Sequence, residues 1–213
     1  MTLPFKKDDL ILFTGDSITD GCRDRDRDLV DPASLGTGYA AMLAGRLGFE
    51  YPGLNLRFHN TGISGDSTHH MLARWAVDCI DIKPDWVSIL AGVNNTWRRY
   101  DSNDPTPDNT FEAEFRELLE RVKNETSAKI ILCSPFLLHT DESVSRMRED
   151  LDPKIGIIKK LAGEFDALWV DFDAEFVAAT ERQSPSYWAF DGVHPTIAGH
   201  ALMADAWLRG VAG

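Results

Sequence analysis

The sequence predicts an α/β fold: a five-stranded parallel sheet with helices on both faces. Two observations predict it. Five short apolar runs alternate with longer stretches whose apolar residues recur at helical spacing, the pattern of successive βαβ units. The third to fifth runs are almost continuously apolar, as strands covered on both faces must be.

The elements follow in chain order. "DLILFT" (9–14) is the first strand and breaks into a Gly-Asp-Ser turn at Ser17. "RDRDRD" (23–28) alternates in sign and reads as a solvated loop, or else as a rim beside a site. "GYAAMLAGRLGF" (38–49) sets Tyr39, Met42, Leu43 and Leu47 on one helical face, and "NLRFHN" (55–60) is the second strand. Trp75 falls at helical spacing from Met71 and Leu72 and is assigned to the core. His69 and His70 are adjacent, point apart on a helix and read as an exposed face rather than a metal site. "DWVSILAG" (85–92) is the third strand, and "FEAEFRELLERVKNET" (111–126) repeats Phe111, Phe115, Leu118, Leu119 and Val122. "AKIILCS" (128–134) and "ALWVDF" (167–172) are the fourth and fifth strands, while polar "HTDESVSRMREDLDP" (139–153) reads as a surface excursion. "PTIAGHALMADAWLRG" (195–210) is the last helix, with Pro195 at its first position, Gly210 at its end and a stripe of Ile197, Ala201, Ala204 and Leu208.

Residues 1–213 read as one domain, with no linker or repeat. A formal charge of −12 argues against nucleic-acid and anionic-membrane partners, which need Lys and Arg to neutralise phosphates. "MTLPFKKDDLILF" offers no signal-peptide or membrane-spanning stretch. Cys22, Cys79 and Cys133 are odd in number and lack a CxxC, which predicts reduced thiols in a cytoplasm, with Cys133 as core packing. Nothing calls for a metal or an organic cofactor.

Four unusual segments follow the strands: the turn at Ser17, "NTGISGDS" (60–67), "GVNNTW" (92–97) and, after the fifth strand and an intervening helix, "FDGVHPT" (190–196). Parallel strands bring the first three to the carboxyl edge of the sheet, where open α/β sheets bind ligands, and the fourth can reach it. Asp191 can accept the Nδ1 proton of His194 across a turn, leaving Nε2 as a base for Ser17. The N–H groups of Ser17 and Gly62 and the amide of Asn94 are candidate donors to a tetrahedral oxyanion. Each feature alone has a plainer use: Gly62 turns the chain, Asn94 caps a loop and Asp16 braces the turn. Asp16, Trp97 and Phe190 are also candidate substrate contacts. Trp97, Trp188 and Phe190 suit either a sugar-stacking wall or a small acyl pocket.

These four segments resemble the blocks of the SGNH (GDSL-type) hydrolases: "GDSITD" the nucleophile block, Gly62 in "NTGISG" the glycine block, Asn94 in "GVNN" the asparagine block, and "DGVHP" the block carrying Asp191 and His194. The resemblance spans residues 15 to 195 in the family's order. It implies a three-layer α/β/α sandwich of flavodoxin-like type, a catalytic triad of Ser17 (nucleophile), His194 (base) and Asp191 (orienter), and Ser17, Gly62 and Asn94 as oxyanion donors. Asn95 stands where many members carry Asp. "LGTGY" (35–39), "KPDWVSI" (83–89) and "WRRY" (97–100) look most like intracellular bacterial esterases that deacetylate xylo-oligosaccharides. The expected partner is therefore a small acetylated sugar ester, with a homo-oligomer as a further possibility because neighbours can form site walls.

Rival readings have less support. An α/β-hydrolase needs GxSxG, but Thr19 stands where the second Gly belongs. A dinucleotide-binding turn needs GxGxxG, which "TGDSITDG" lacks. A lipase or lysophospholipase stays within the same chemistry. A non-catalytic glycan-binding domain of this fold would have no use for the complete set of Ser17, Asp191, His194 and Asn94.

Overall fold

The computed structural model describes residues 2–212. Its strands are β1 (Leu10–Gly15), β2 (Arg57–Asn60), β3 (Trp86–Leu90), β4 (Lys129–Cys133) and β5 (Leu168–Val170). They form one parallel sheet in the order β2-β1-β3-β4-β5. The helices are α1 (Ser17–Asp20), α2 (Tyr39–Glu50), α3 (Thr68–Trp75), α4 (Val93–Asp101), α5 (Asp108–Glu125), α6 (Glu142–Arg146), α7 (Arg148–Glu164), α8 (Phe172–Ala179), α9 (Pro185–Trp188) and α10 (Ile197–Val211).

Alternation along each strand divides the core in two. Ile11, Phe13 and Leu90 face α2, α8 and α10, whereas Leu12, Val87 and Ile89 face α3, α5 and α7. This is the expected three-layer α/β/α sandwich. The face predicted for α5 is buried in full. Each face holds a buried tryptophan with its indole N–H satisfied: Trp207 donates to Ser88 Oγ (3.0 Å) and Trp75 to the Leu118 carbonyl (3.1 Å). Full burial of one large apolar side chain stabilises by about 1.5–3 kcal/mol.

Two local expectations are corrected. Pro195 is not in α10. It pairs with Ala189 in an isolated antiparallel bridge, and Thr196 caps the helix, its Oγ1 accepting the Gly199 N–H at 3.2 Å. The predicted stripe holds only in its second half: Ala204 and Leu208 are buried, but Ile197 and Ala201 are exposed and the core face is completed by Met203, Ala206 and Trp207. Gly199 sets this packing, because a Cβ there would lie 2.1 Å from the Trp188 carbonyl oxygen. Second, 139–153 is no surface excursion. It forms α6 and the start of α7, burying Val144, Met147 and Leu151, and Arg148 and Asp150 pair with Asp173 and Lys154.

Because β2 and β3 flank β1, the connections leaving β1 and β3 diverge and open a crevice at the carboxyl edge. Among the described residues no helix is long and apolar enough to cross a membrane.

Candidate active site

Gly15 ends β1 with φ +154°, and a Cβ there would sit 2.0 Å from the Leu90 carbonyl oxygen, so only glycine lets the chain turn this tightly over β3. Asp16 then caps α1, Oδ1 accepting the Ile18 N–H at 3.0 Å. Ser17 is therefore the first residue of a helix, where the helix supplies no acceptor for its N–H. Asp16 itself is fully buried and does not line the cavity; its bond to the Ile18 N–H braces the turn. Among the described residues its Oδ2 has no partner. Burial pushes the carboxyl up to about 7, against the opposing pull of the Ile18 N–H.

At the other end of the sequence, Asp191 builds a turn and orients a ring with the same carboxylate. Oδ1 accepts the N–H groups of Val193 (3.0 Å) and His194 (2.7 Å), and Oδ2 accepts His194 Nδ1–H at 2.6 Å. His194 Nε2 is thereby left as an acceptor, 3.0 Å from Ser17 Oγ. Burial alone would raise the Asp191 carboxyl, but the hydrogen bonds from His194 and Val193 outweigh it and hold it below the usual range. The bond to Asp191 raises His194 above its ordinary value, although burial opposes. A hydroxyl in this setting can pass its proton to Nε2 as its oxygen attacks an electrophile.

The second loop comes close because Gly62 has no side chain: a Cβ there would lie 2.5 Å from the Asp20 nitrogen of α1. Its N–H donates to Asn60 Oδ1 at 2.9 Å. Asn94, near the start of α4, is buried and donates Nδ2 to the Asp66 carbonyl at 3.0 Å. The Gly62 N–H thus has an acceptor in its own loop, whereas the Ser17 N–H and the second hydrogen of Asn94 Nδ2 have none among the described residues. Asn95 accepts the Thr68 N–H (3.2 Å) and donates to Thr68 Oγ1 (2.8 Å) and Thr106 Oγ1 (3.3 Å). A carboxylate could accept the first bond but could not donate the other two, which accounts for an amide at this buried position.

A cavity of about 780 Å³ opens beside Ser17 and His194, lined by Ile18, Arg23, Met42, Phe190 and His200 among others. Phe190 is exposed and stacks on the His194 ring (centroids 5.9 Å apart), and Trp97 lies 6.4 Å from the same ring. Trp188 is not part of this wall: it is buried, with its indole N–H on the Ala179 carbonyl. The RDRDRD run is more than a solvated loop, since Arg23 Nε donates to the Gly62 carbonyl at 2.8 Å and Arg25 pairs with Asp20 at the cavity.

Sequence reasoning missed His200. Its Nδ1 accepts the Tyr39 N–H at 3.2 Å, and burial together with the nearby His194 lowers it to about 4. The ring is neutral and keeps Nε2–H as a donor in the cavity wall. No motif spacing marks it, because its position depends on α10 packing against α2. Among the described residues no group of three or more His, Cys, Asp or Glu could hold a metal ion.

A serine turn after β1, met across the crevice by an aspartate–histidine turn, accompanies kinship with the carboxylic ester hydrolases. The chain belongs to the GDSL-like lipase/acylhydrolase family, which matches residues 13–202. It is 39% identical over 202 residues to an acetylxylan esterase of Geobacillus stearothermophilus, covering 93% of this chain and 92% of that protein. A solved variant of an acetyl xylan esterase from the same organism superposes with a TM-score of 0.90 at 38% identity, over 97% of this chain and 96% of that one. A structure from Parabacteroides merdae described as a GDSL-like lipase gives 0.94 at 35% identity, over 99% of each chain.

Proposed function

We propose that the protein is a serine esterase for short acyl groups that removes acetyl from acetylated xylo-oligosaccharides or related sugars. The observation that carries this is the unbroken series Asp191–His194–Ser17, with contacts of 2.6 and 3.0 Å, at the wall of a cavity large enough for a sugar ester. Ser17 Oγ attacks the ester carbonyl while His194 Nε2 takes its proton, and Asp191 holds the resulting imidazolium. The tetrahedral oxyanion draws on the Ser17 N–H, on the second hydrogen of Asn94 Nδ2, and on the Gly62 N–H as it exchanges Asn60 Oδ1 for the oxyanion. Collapse expels the sugar alkoxide, which receives the proton from His194. Water, deprotonated by the same base, then attacks the acyl-enzyme and releases acetate and free Ser17.

The sugar reading draws support from the acetylxylan esterase relative, from a neighbour described as an acetyl-xylooligosaccharide esterase, and from a cavity wall combining Phe190 with the donors of Arg23 and His200. Structures of catalytic mutants of the Geobacillus enzyme lend the triad similar support. Three unpaired cysteines favour a reducing cytoplasm. Ile18, Met42 and the exposed Ile197 favour a second reading, a lipase-like preference for longer acyl chains.

Hydrolysis of nitrophenyl esters from acetate to decanoate, with Ser17→Ala alongside, separates the two. Turnover confined to the shortest esters and lost in the variant is the expected result, followed by acetate release from acetylated xylo-oligosaccharides. Rates that climb with chain length favour the lipase-like reading. Wild-type turnover in Ser17→Ala would refute the mechanism.

A further inference from the structure

The loops that carry Ser17, Gly62 and Asn94 leave three different strands, and one side chain joins the first two directly and the third through Asp66. Arg74, in the last turn of α3, keeps only 15% of its side chain exposed. Nη2 donates to the Gly15 carbonyl at 3.1 Å, Nη1 to the Thr61 carbonyl at 2.6 Å, and Nε to Asp66 Oδ2 at 2.6 Å. Asp78 Oδ2 receives Nη1 at 2.7 Å and stops the guanidinium from swinging away.

Each acceptor matters through peptide geometry. The Thr61 carbonyl and the Gly62 N–H are the two ends of one planar unit, so fixing the first aims the second. The Gly15 carbonyl belongs to the peptide entering Asp16, one link before the Ser17 N–H. Asp66 is held through its carboxylate while its backbone carbonyl receives Asn94 Nδ2. Arg23 grips the far side of the second loop at the Gly62 carbonyl, so the Gly62 residue is bracketed by guanidinium groups from both directions.

We propose that Arg74 is a positioning residue, whose planar guanidinium fork sets the aim of the three oxyanion donors. The inference rests on the reading of Ser17, Gly62 and Asn94 given above. A lysine would keep the charge facing Asp66 and Asp78 but, as a single point on a flexible stem, could not hold three acceptors in a fixed fan. Arg74→Lys therefore separates the fork from the charge.

The test assays Arg74→Lys, Arg74→Met and Ser17→Ala on nitrophenyl acetate. Each is titrated with diethyl nitrophenyl phosphate, whose stoichiometric release counts folded protein with a competent Ser17. Arg74→Lys should titrate as wild type does, with kcat per titrated site down about 10²-fold, the scale of one lost oxyanion donor, and KM within about threefold. Arg74→Met should lose at least as much per site. A per-site kcat within about threefold of wild type in both variants overturns the inference. So does a loss confined to the stoichiometry, or an Arg74→Lys protein with no titratable serine, either of which makes Arg74 a fold residue only. Turnover that survives in Ser17→Ala would strike the underlying mechanism instead, and it is seen without reference to Arg74.

Discussion

Asp16→Asn tests how much a buried, half-satisfied carboxyl costs this fold. Asp16 is wholly buried, and its carboxyl is pushed from 3.8 up to about 7. A raised acid binds its proton more tightly folded than unfolded, so the contribution of Asp16 to stability is most favourable below pH 3.8 and declines as pH rises to about 7. The whole shift corresponds to about 4 kcal/mol, of which about 3 kcal/mol falls between pH 5 and 8. Asparagine keeps the acceptor for the Ile18 N–H and does not titrate. Its amide meets an unpartnered place at Oδ2, a penalty of about 1–3 kcal/mol that is the same at every pH. Urea unfolding of both proteins at pH 5 and pH 8 isolates the titrating part, because all other groups are common to the pair. The stability of the variant relative to wild type should rise by about 3 kcal/mol across that interval. Parallel stability profiles, agreeing within about 0.5 kcal/mol across that interval, would refute the view that Asp16 folds as a buried acid.

Three further outcomes follow from the geometry. Since only neutral imidazole accepts the Ser17 proton, kcat/KM should rise with pH through an inflection above 6.5, the ordinary histidine value from which Asp191 raises it. Asp191→Asn should move that inflection down and cut kcat by about 10⁴-fold; an unchanged inflection in the pH profile would separate Asp191 from the titration. Lys154 is fully buried and bonded to Asp150 at 2.7 Å, while Thr96 and Arg99 of α4 each reach Asp150 at 2.9 Å. Asp150→Ala should therefore destabilise by about 3–5 kcal/mol in urea unfolding, and a loss under about 1 kcal/mol would show that Lys154 finds equivalent partners elsewhere.

What sequence revealed and what it concealed divide along a physical line. Strands and the buried faces of α2 and α5 were legible because periodicity is local, and so was the geometry joining Ser17 and the Asp191–His194 turn, which rests on Gly, Asp and Ser at short spacing. The full core face of α10 was not, since it follows from Gly199 against Trp188 and Trp207 against Ser88, contacts that no 3.6-residue pattern encodes. The 139–153 segment misled for a similar reason: Asp150 looks like a solvated charge until Lys154, Arg99 and Thr96 close around it. Arg74 and His200 left no trace, because their partners are backbone groups of distant loops.

The hydrogen bond between Ser17 and His194 closes over 177 positions of chain. Ser17 sits on the turn that leaves the first strand, yet His194 lies beyond all five strands, on the turn leading into α10. Even a sheet complete from β2 to β5 carries no working imidazole until α10 seats itself against α2 and buries Trp207. The site is therefore shared between the two ends of the chain, so a substitution that loosens α10 from α2 should lower esterase activity without touching Ser17.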